Sequence, residues 1–437
     1  MINFKKNNLY TYQLFIVIIS LSFWVYLLGI KFISPINQDW LSSGDLSMYQ
    51  ISWNYFKNDI WRFPLSLNPN FGIYAGGSLV FSDSIPILGI IFKTISKYLP
   101  FEFQYFSSWI LLCIYLQLFF SFKILHKLTN DPFYSLIGAL FFCFATIFIN
   151  RTAIHLGLSG HWLILFSFYI EILESRRQGI LRIFVILLSC TIHFYFTIIL
   201  IILNFIIQVF SFFKKQKKKT TIIKELLTTY TLLLILMYVI GYFSIQVQDG
   251  LGAGFGYYNM NLNSFFNPVG SNNFNDFNWS YFLPEQKKIN GEKEGFAFLG
   301  ISGLVFLVIL IINLRYKKYE VIFARHEFLA ILIIFFLLSI SNNINLGEKN
   351  LISISLNNLT YGIFSSIRAS GRLIWPVYYL ILIFGIFFIH KFFKNNKAYL
   401  ILIFLFIIQM IDIHPGLLQY KFGSQYLSKS NNDFIKD

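Results

Sequence analysis

The stretch that decides the fold is residues 40–86, WLSSGDLSMYQISWNYFKNDIWRFPLSLNPNFGIYAGGSLVFSDSIP. It is the first long stretch that cannot lie in lipid, and it follows a single apolar segment. Two acidic residues stand in it beside small residues, Asp45 in Ser-Gly-Asp and Asp83 in Ser-Asp-Ser. The loop is rich in aromatic side chains, which is typical of a segment that folds back onto the membrane–water interface. We expect it to form one wall of a site on the outer membrane face.

The composition is that of a membrane protein. Of the 437 residues, 56% are hydrophobic and only 13% are charged, whereas a soluble domain carries roughly 25% charged residues. Repeated apolar runs of about 20 residues predict an all-α, polytopic helical membrane protein that contacts lipid. The three cysteines lie far apart inside apolar runs, so neither a zinc site nor a disulfide framework is indicated.

The charges predict the orientation. The net charge of +15 does not indicate a nucleic-acid partner, because Lys and Arg cluster in short loops between apolar runs. Lys5 and Lys6 place the N-terminus in the cytoplasm. We predict one membrane domain over residues 1–437, with about eleven crossings of the cell (inner or plasma) membrane. The non-cytoplasmic segments are then three long loops and the C-terminal tail: 34–102, 244–295, 341–372 and 412–437.

Three segments carry more specific predictions. Residues 46–57 fit an amphipathic helix with Met48, Ile51 and Tyr55 on one face. Residues 85–99 reach only about 22 Å as a helix, short of the ~30 Å bilayer core, so we expect them to lie in the interface. The apolar block 180–213 is flanked by basic residues at both ends, which favours two short crossings that turn near His193.

Three acids are candidate catalytic residues. Asp45 follows Gly44 at a probable helix start, where it is either an N-cap or a general base that takes a proton from an acceptor hydroxyl. Asp83 precedes Pro86 and is either a helix-start residue or a second carboxylate. Asp45 and Asp83 together would suit Mg²⁺ or Mn²⁺, but the sequence leaves the metal open. Glu294, just before a crossing, is either an interfacial charge or a third catalytic acid.

Four further residues are candidates for binding substrate. Arg368 and Arg372 are four residues apart, so on a helix they would share one face. They would either reach lipid head groups or clamp a phosphate. His155 and His161 lie with Arg151 in one outer turn. We include both histidines as weaker candidates, because a lone interfacial histidine is usually structural.

Several short motifs together resemble a known group of enzymes. They are SGD (43–45), YAGGSLVFSDSIP (74–86), FQYFSSW (103–109), HLGLSGHWLIL (155–165), EGFAFLG (294–300), SIRASGRLIWPVYY (366–379) and IDIHPGL (411–417). They resemble an uncharacterised bacterial family of multi-pass membrane proteins, a domain of unknown function, and the architecture is similar to the GT-C superfamily of integral-membrane glycosyltransferases. The first loop lacks the paired Asp-Glu or Asp-x-Asp of the better-known GT-C pattern.

The resemblance implies a function in the cell envelope. A sugar would pass from a polyprenyl-phosphate donor to a glycan, lipid or polymer acceptor on the non-cytoplasmic face. It implies that Asp45 is the base, Asp83 a supporting acid and Glu294 a later-loop acid, with Arg368 and Arg372 at the donor phosphate. We expect these groups to converge in one outward pocket. The rivals are a transporter or flippase and a non-catalytic glycolipid-binding subunit.

Overall fold

A computed structural model describes most of the chain. The described residues are 9–42, 44–72, 77–173, 175, 177–215, 218–244, 254–271, 276–289, 291–314, 325–365, 367–393 and 395–421. Lys5 and Lys6, part of the second outer loop and the tail beyond residue 421 lie outside them. The cytoplasmic placement of the N-terminus and the outer placement of the tail therefore stay predictions.

The described residues are predominantly helical, as expected for an all-α protein. The α-helices are α1 Leu9–Leu28, α2 Asp45–Asn58, α3 Pro86–Thr94, α4 Phe106–Thr129, α5 Pro132–Cys143, α6 Thr146–Ile154, α7 Trp162–Ile172, α8 Gln178–Cys190, α9 Phe194–Phe213, α10 Lys219–Ile240, α11 Gly300–Asn313, α12 Arg325–Ile340, α13 Asn358–Ser365, α14 Trp375–Phe392 and α15 Asn395–Gln419. Three antiparallel hairpins add β1 Leu67–Asn68 with β2 Gly77–Ser78, β3 Val269–Ser271 with β4 Asp276–Asn278, and β5 Asn343–Leu346 with β6 Lys349–Ser353.

Six helices of the described part are long and apolar enough to cross a membrane, or seven spans if α5 and α6, bent by 52°, are one broken span. They indicate a membrane protein whose apolar helix faces contact lipid. Shorter apolar helices such as α8, with 13 residues, reach only about 20 Å. The predicted total of eleven crossings therefore stays a prediction.

The chain divides into two compact units. Unit 1 comprises the described residues of Met1–Ile19, Tyr115–Asn150 and Gly250–Gln419, and unit 2 those of Ser20–Ile114, Arg151–Asp249 and Tyr420–Asp437. In unit 1, α14 packs against α5, α11, α12 and α15. Every residue from Trp375 to Ile389 of α14 is buried, because the helix is apolar on all sides and so forms a core.

Unit 2 confirms that the block 180–213 forms two helices. α8 ends at Cys190, and α9 begins at Phe194 after a turn at residues 191–193. The ring of His193 caps α9, since its Nδ1 accepts a hydrogen bond from the Tyr195 N–H at 3.1 Å. α8 packs against α7, α9 and α10. The break near His193 was therefore predicted correctly.

The first outer loop, residues 34–102, contains the two expected helices, and Met48, Ile51 and Tyr55 share one face of α2 as predicted. The expected face of Met48, Ile51 and Tyr55 is exposed, whereas Trp53 and the residues at helical spacing from it are buried. α2 thus carries apolar residues on two sides, one buried and one exposed. α3 has nine residues and is followed by the 3₁₀ helix Ser96–Tyr98, so the segment is too short to cross.

The last helix continues further than expected. α15 runs to Gln419 and contains Pro415, whereas the sequence placed the start of an outer tail at Asp412. Asp412 is fully buried, and its carboxylate accepts hydrogen bonds from the hydroxyl of Ser280 and, at 2.9 Å, from the N–H of Ile301. Asp412 therefore lies inside α15 and joins it to the segments that carry Ser280 and Ile301.

Candidate functional site

Asp45 lies at the first residue of α2. Gly44, with φ +59°, is the N-cap residue, so Asp45 is not the cap that the sequence allowed. Its side chain is about half exposed (48%), and Oδ2 lies 3.5 Å from Nδ1 of His155. The hydroxyl of Tyr49 lies 3.3 Å from the same nitrogen. A proton on Nδ1 thus faces both a phenol and a carboxylate, and the helix N-terminus favours the carboxylate as an anion.

Asp83 forms a second carboxylate–imidazole pair, with His193. Nδ1 of His193 accepts from the Tyr195 N–H, so the ring proton is on Nε2, which donates to Asp83 Oδ1 at 3.1 Å. A fixed tautomer of this kind holds an imidazole in one orientation. Asp83 has φ +52°, a conformation that Asp tolerates better than bulkier residues. The sequence singled out His193 as a turn but did not identify it as the partner of Asp83.

Segment 155–157 contacts both pairs. His155 faces Asp45, and Gly157 lies against Asp83 and His193. A Cβ at Gly157 would lie 3.0 Å from the Asp83 carbonyl oxygen and 3.1 Å from Cδ2 of His193. Two acids that are distant in the sequence therefore meet one short segment.

Serine hydroxyls join α2 to the loop that carries Asp83. The Ser52 hydroxyl lies 2.7 Å from that of Ser82, which lies 2.9 Å from that of Ser84. Asn68 donates to the carbonyl oxygen of Ser52 at 2.9 Å, and all four side chains are buried. Because these buried polar groups are hydrogen-bonded to one another, they fix the loop against the helix.

His161 and Arg151 are buried, not arranged along an open outer turn. The ring of His161 packs edge-on against Phe196, with the ring centroids 5.7 Å apart. Burial of this kind favours a packing role for His161. Of the two histidine candidates, His155 is the one that the structure places beside a candidate acid.

The described side chains do not assemble a metal-ligand set around the candidate acids. Among the described residues, no three or more His, Cys, Asp and Glu side chains gather where they could hold an ion. Asp45 and Asp83 each have an imidazole partner instead. Mg²⁺ or Mn²⁺ binding by these acids stays open.

Unit 1 holds the other candidates, and Glu294 pairs with Arg372. Glu294 lies in the 3₁₀ helix Glu292–Gly295, and Arg372 in the 3₁₀ helix Ser370–Ile374. Nη2 and Nε of Arg372 lie 2.8 and 2.9 Å from Oε2 of Glu294, and both side chains are about nine-tenths buried. The ion pair thus engages the carboxylate expected to act as an acid and the guanidinium expected to bind phosphate.

Glycines allow these two 3₁₀ helices to approach. A Cβ at Gly371 would lie 2.5 Å from Cα of Gly295, and a Cβ at Gly295 would lie 2.4 Å from the carbonyl oxygen of Asn259. Neither position has room for a side chain, because the nearest atoms belong to the backbone. This contact positions the Glu294–Arg372 pair.

Arg368 differs from Arg372. It precedes the 3₁₀ helix Ser370–Ile374, so the two arginines do not share one α-helical face, and the predicted two-arginine clamp is wrong in that respect. Arg368 is exposed, and its guanidinium lies 5.2 Å from the ring centroid of Tyr258. An exposed guanidinium stacked on a ring is oriented and still accessible to an anion.

Glu292 was missed by the sequence analysis. It is 4% exposed and accepts hydrogen bonds from Asn261 at 2.8 Å, Asn345 at 2.9 Å and the N–H of Ile289 at 3.0 Å. Burial raises the pKa of its carboxyl above the ordinary value, although these hydrogen bonds favour the charged form. The density of asparagine in this loop was the available signal, since an asparagine-rich segment can satisfy a buried acid.

The acids of the first outer loop belong to unit 2, whereas Glu294, Arg368 and Arg372 belong to unit 1. Each unit is described by itself. The expectation that all of them line one outward pocket therefore stays a prediction.

Comparison with known proteins identifies one family. Residues 17–414 match the family described as a domain of unknown function (DUF6311). The match covers nearly the whole chain, as the resemblance to an uncharacterised family implied. No glycosyltransferase family matches, so the GT-C resemblance stays a prediction. No curated protein and no solved structure matches the chain.

Proposed function

The chain belongs to the DUF6311 family, and we propose that it is a membrane glycosyltransferase. It would move a sugar from a polyprenyl-phosphate donor to an acceptor on the non-cytoplasmic face. The observation that carries the proposal is the pair of carboxylate–imidazole contacts, Asp45 with His155 and Asp83 with His193, on segment 155–157. Acid–imidazole pairs in a polar loop suit proton transfer from a hydroxyl.

The proposed step transfers one proton and exchanges one bond. The acceptor hydroxyl gives its proton to Asp45, and its oxygen attacks the anomeric carbon of the donor sugar. The bond from that carbon to the phosphate oxygen breaks, its electron pair stays on that oxygen, and polyprenyl phosphate leaves. The sugar configuration is inverted, because the attack comes from the face opposite the leaving group.

Positioning is the role proposed for the second pair. Asp83 is about one-third exposed (31%), whereas His193 is buried and has a fixed tautomer. Together with Gly157 they hold segment 155–157, and therefore His155, against α2. Asp83 thus supports Asp45 through His155.

Donor chemistry explains why a phosphate-binding group is needed. Nucleotide sugars are made in the cytoplasm, so a transferase acting on the outer face needs a donor carried across on lipid. Of the two candidate arginines, Arg368 is exposed for such a phosphate, whereas Arg372 is paired with Glu294.

One observation favours the rival function of a transporter or flippase. α5 and α6 are bent by 52° at a short break, and broken helices are common in transporters. Against it, the buried ion pair of Glu171 with Arg182, at 2.6 Å, lies near the end of α7 and the start of α8. A transporter more often places its ionisable residues along the substrate path near the midplane.

The experiment supplies radiolabelled donors to membrane vesicles containing the protein. Polyprenyl-phosphate-linked hexoses are compared with the same sugars as nucleotide donors, and label in glycan or lipid products is counted. The proposal predicts transfer from the lipid-linked donors only. Movement of lipid-linked sugar across the bilayer without transfer would contradict it and support a flippase. Binding of the donor with neither transfer nor movement would support an accessory subunit.

A further inference from the structure

A polar cleft lies in the first outer loop, and none of the functions above uses it. Its volume is about 630 Å³, within the range of about 300–1,000 Å³ typical of ligand pockets. One wall is the chain that follows α1, from Lys31 to Ser42, and the others are Gln50 of α2 and Glu102. All of these residues belong to unit 2.

The lining is a network of amides and charged groups. Gln50 donates to Oε1 of Gln38 at 2.5 Å, and Gln38 donates to the carbonyl oxygen of Glu102 at 2.7 Å. Lys31 Nζ lies 3.2 Å from Asp39 Oδ2. Each side-chain amide offers two donors and a two-lone-pair acceptor, so the one internal bond of Gln50 and the two of Gln38 leave both amides capacity to bind a ligand. Such groups match the paired hydroxyls of a sugar.

The charge of the lining argues against an anion. Lys31 contributes one positive charge, and Asp39 and Glu102 contribute two negative charges, so the cleft carries a net charge of 1 − 2 = −1. Lys31 is also engaged by Asp39. A phosphate or sulfate would be repelled, whereas a neutral polyhydroxyl compound meets mostly hydrogen-bonding side chains, with Ile36 as an apolar contact for a sugar ring.

The cleft is held in shape before any ligand arrives. Gln104 donates its backbone N–H to the carbonyl oxygen of Pro35 at 2.7 Å and its side chain to that of Ser34 at 3.2 Å. Ser107 donates its hydroxyl to the carbonyl oxygen of Ile33 at 3.2 Å. These bonds fix the wall at residues 33–35, and a preformed site loses less entropy when it binds.

The geometry points to a binding site for one neutral sugar unit, presented either by a soluble glycan or by a glycolipid head group. The cleft lies beside α2, because its lining includes Ser42, three residues before Asp45, and Gln50 within the helix. Its assignment as the acceptor subsite rests on the proposed function. Sugar binding in the cleft does not.

The experiment measures binding with the purified full-length protein in lipid nanodiscs. Maltotriose, cellotriose and chitotriose are titrated as soluble probes, glucosyl diacylglycerol is added to the nanodisc as the lipid-borne probe, and glucose 1-phosphate is the anionic comparison. We expect saturation-transfer NMR to detect a neutral probe and to show weaker binding of glucose 1-phosphate. Binding of the glycolipid but of none of the soluble probes would show that the cleft takes its sugar unit from a glycolipid head group.

Two variants locate the site. Gln50→Leu and Asp39→Asn should each weaken binding by up to about tenfold, since each removes or weakens a hydrogen bond to the sugar. The matched control is Asn58→Leu, which changes an exposed amide about two turns further along α2 and outside the cleft lining. Melting curves check that each variant is folded, and Asp39 is exposed enough (47%) to change without loss of a core contact.

The outcomes separate the cleft from the proposed function. Three results would overturn the inference: no neutral probe binds, both cleft variants bind the probes as tightly as the wild type, or glucose 1-phosphate binds more tightly than the neutral probes. Sugar binding that both variants lose supports it, even if the wild-type protein transfers no sugar. In that last case the proposed function fails while the sugar site stands.

Discussion

At the scale of single residues, Glu292 should make the stability of the folded protein depend on pH. Its pKa is raised by burial, so between the ordinary value of 4.5 and the raised value the folded protein binds a proton that the unfolded chain does not. The stability that Glu292 contributes to the folded protein by binding this proton is present at low pH and is lost as the pH rises through the raised pKa. We expect wild-type thermal stability to fall over that window relative to Glu292→Gln, as measured by melting in detergent between pH 4 and 8.

The control for this pH dependence is Glu285→Gln, which changes an exposed glutamate of the same loop. Its melting curve should follow that of the wild type. If Glu292→Gln retains the full wild-type decline, burial of Glu292 is not its cause.

Gly371 gives a prediction about backbone contact. Gly371→Ala should destabilise by roughly 1–3 kcal/mol or prevent folding, because the new Cβ would lie 2.5 Å from Cα of Gly295. Gly362→Ala, in the interior of α13 with nothing within 4 Å of the new Cβ, should be neutral or stabilising. Chemical denaturation in detergent distinguishes them, and equal stability of the two variants would contradict the contact.

The sequence identified candidate site residues where the evidence lay in their immediate neighbours, but it did not identify their partners. Asp45 and Asp83 stand beside small residues in a loop that cannot enter lipid, and the structure gives each of them an imidazole partner. The partnership of Asp83 with His193 was not predictable, because it depends on a turn in a distant part of the chain. The role expected of Arg372 depended on a distant partner as well. Its guanidinium was expected to bind phosphate, but it forms an ion pair with Glu294.

At the scale of elements, α2 has two apolar faces, and only packing decides which is inside. Trp53 is fully buried, donates to the carbonyl oxygen of Phe103 at 2.8 Å and packs edge-on against Tyr105. Trp53→Ala should therefore destabilise by about 3–5 kcal/mol. Ile51→Ala on the exposed face should change stability by about 0.5 kcal/mol or less.

Denaturation of both α2 variants in the same detergent tests this assignment. A larger loss of stability for Ile51→Ala than for Trp53→Ala would contradict the buried position of Trp53. Periodicity identified the face that carries Ile51 but could not say which face is buried, because apolar residues follow the helical spacing on both sides of α2. The turn between α8 and α9 was predicted from a different signal, because the basic residues at both ends of one apolar block favoured a chain that returns.

At the scale of the whole molecule, orientation is the main prediction. The three native cysteines are buried, so single cysteines can be added and labelled selectively. We expect Lys287→Cys, at a position that is 82% exposed, to react with a membrane-impermeant thiol reagent in intact cells. Lys218→Cys, exposed next to α10, should react only after permeabilisation.

The unmodified protein is the labelling control and should not react. The reverse pattern at the two positions would invert the topology and place the first outer loop in the cytoplasm. That the chain is a membrane protein was predictable from its low charged fraction and its repeated long apolar runs. The number of crossings was not, since short helices such as α8 fall between a span and a packed segment.

The central claim is that Asp45 takes the proton of the acceptor. Its most direct test is the acceptor-dependent release of polyprenyl phosphate by the purified protein, compared for the wild type, Asp45→Asn and the control Asp59→Asn. Asp59 lies in the same loop and pairs with Arg62 at 3.4 Å, away from the proposed chemistry. We predict that Asp45→Asn lowers the rate about 10²–10⁴-fold while Asp59→Asn keeps it. An undiminished rate in a folded Asp45→Asn variant would contradict the claim.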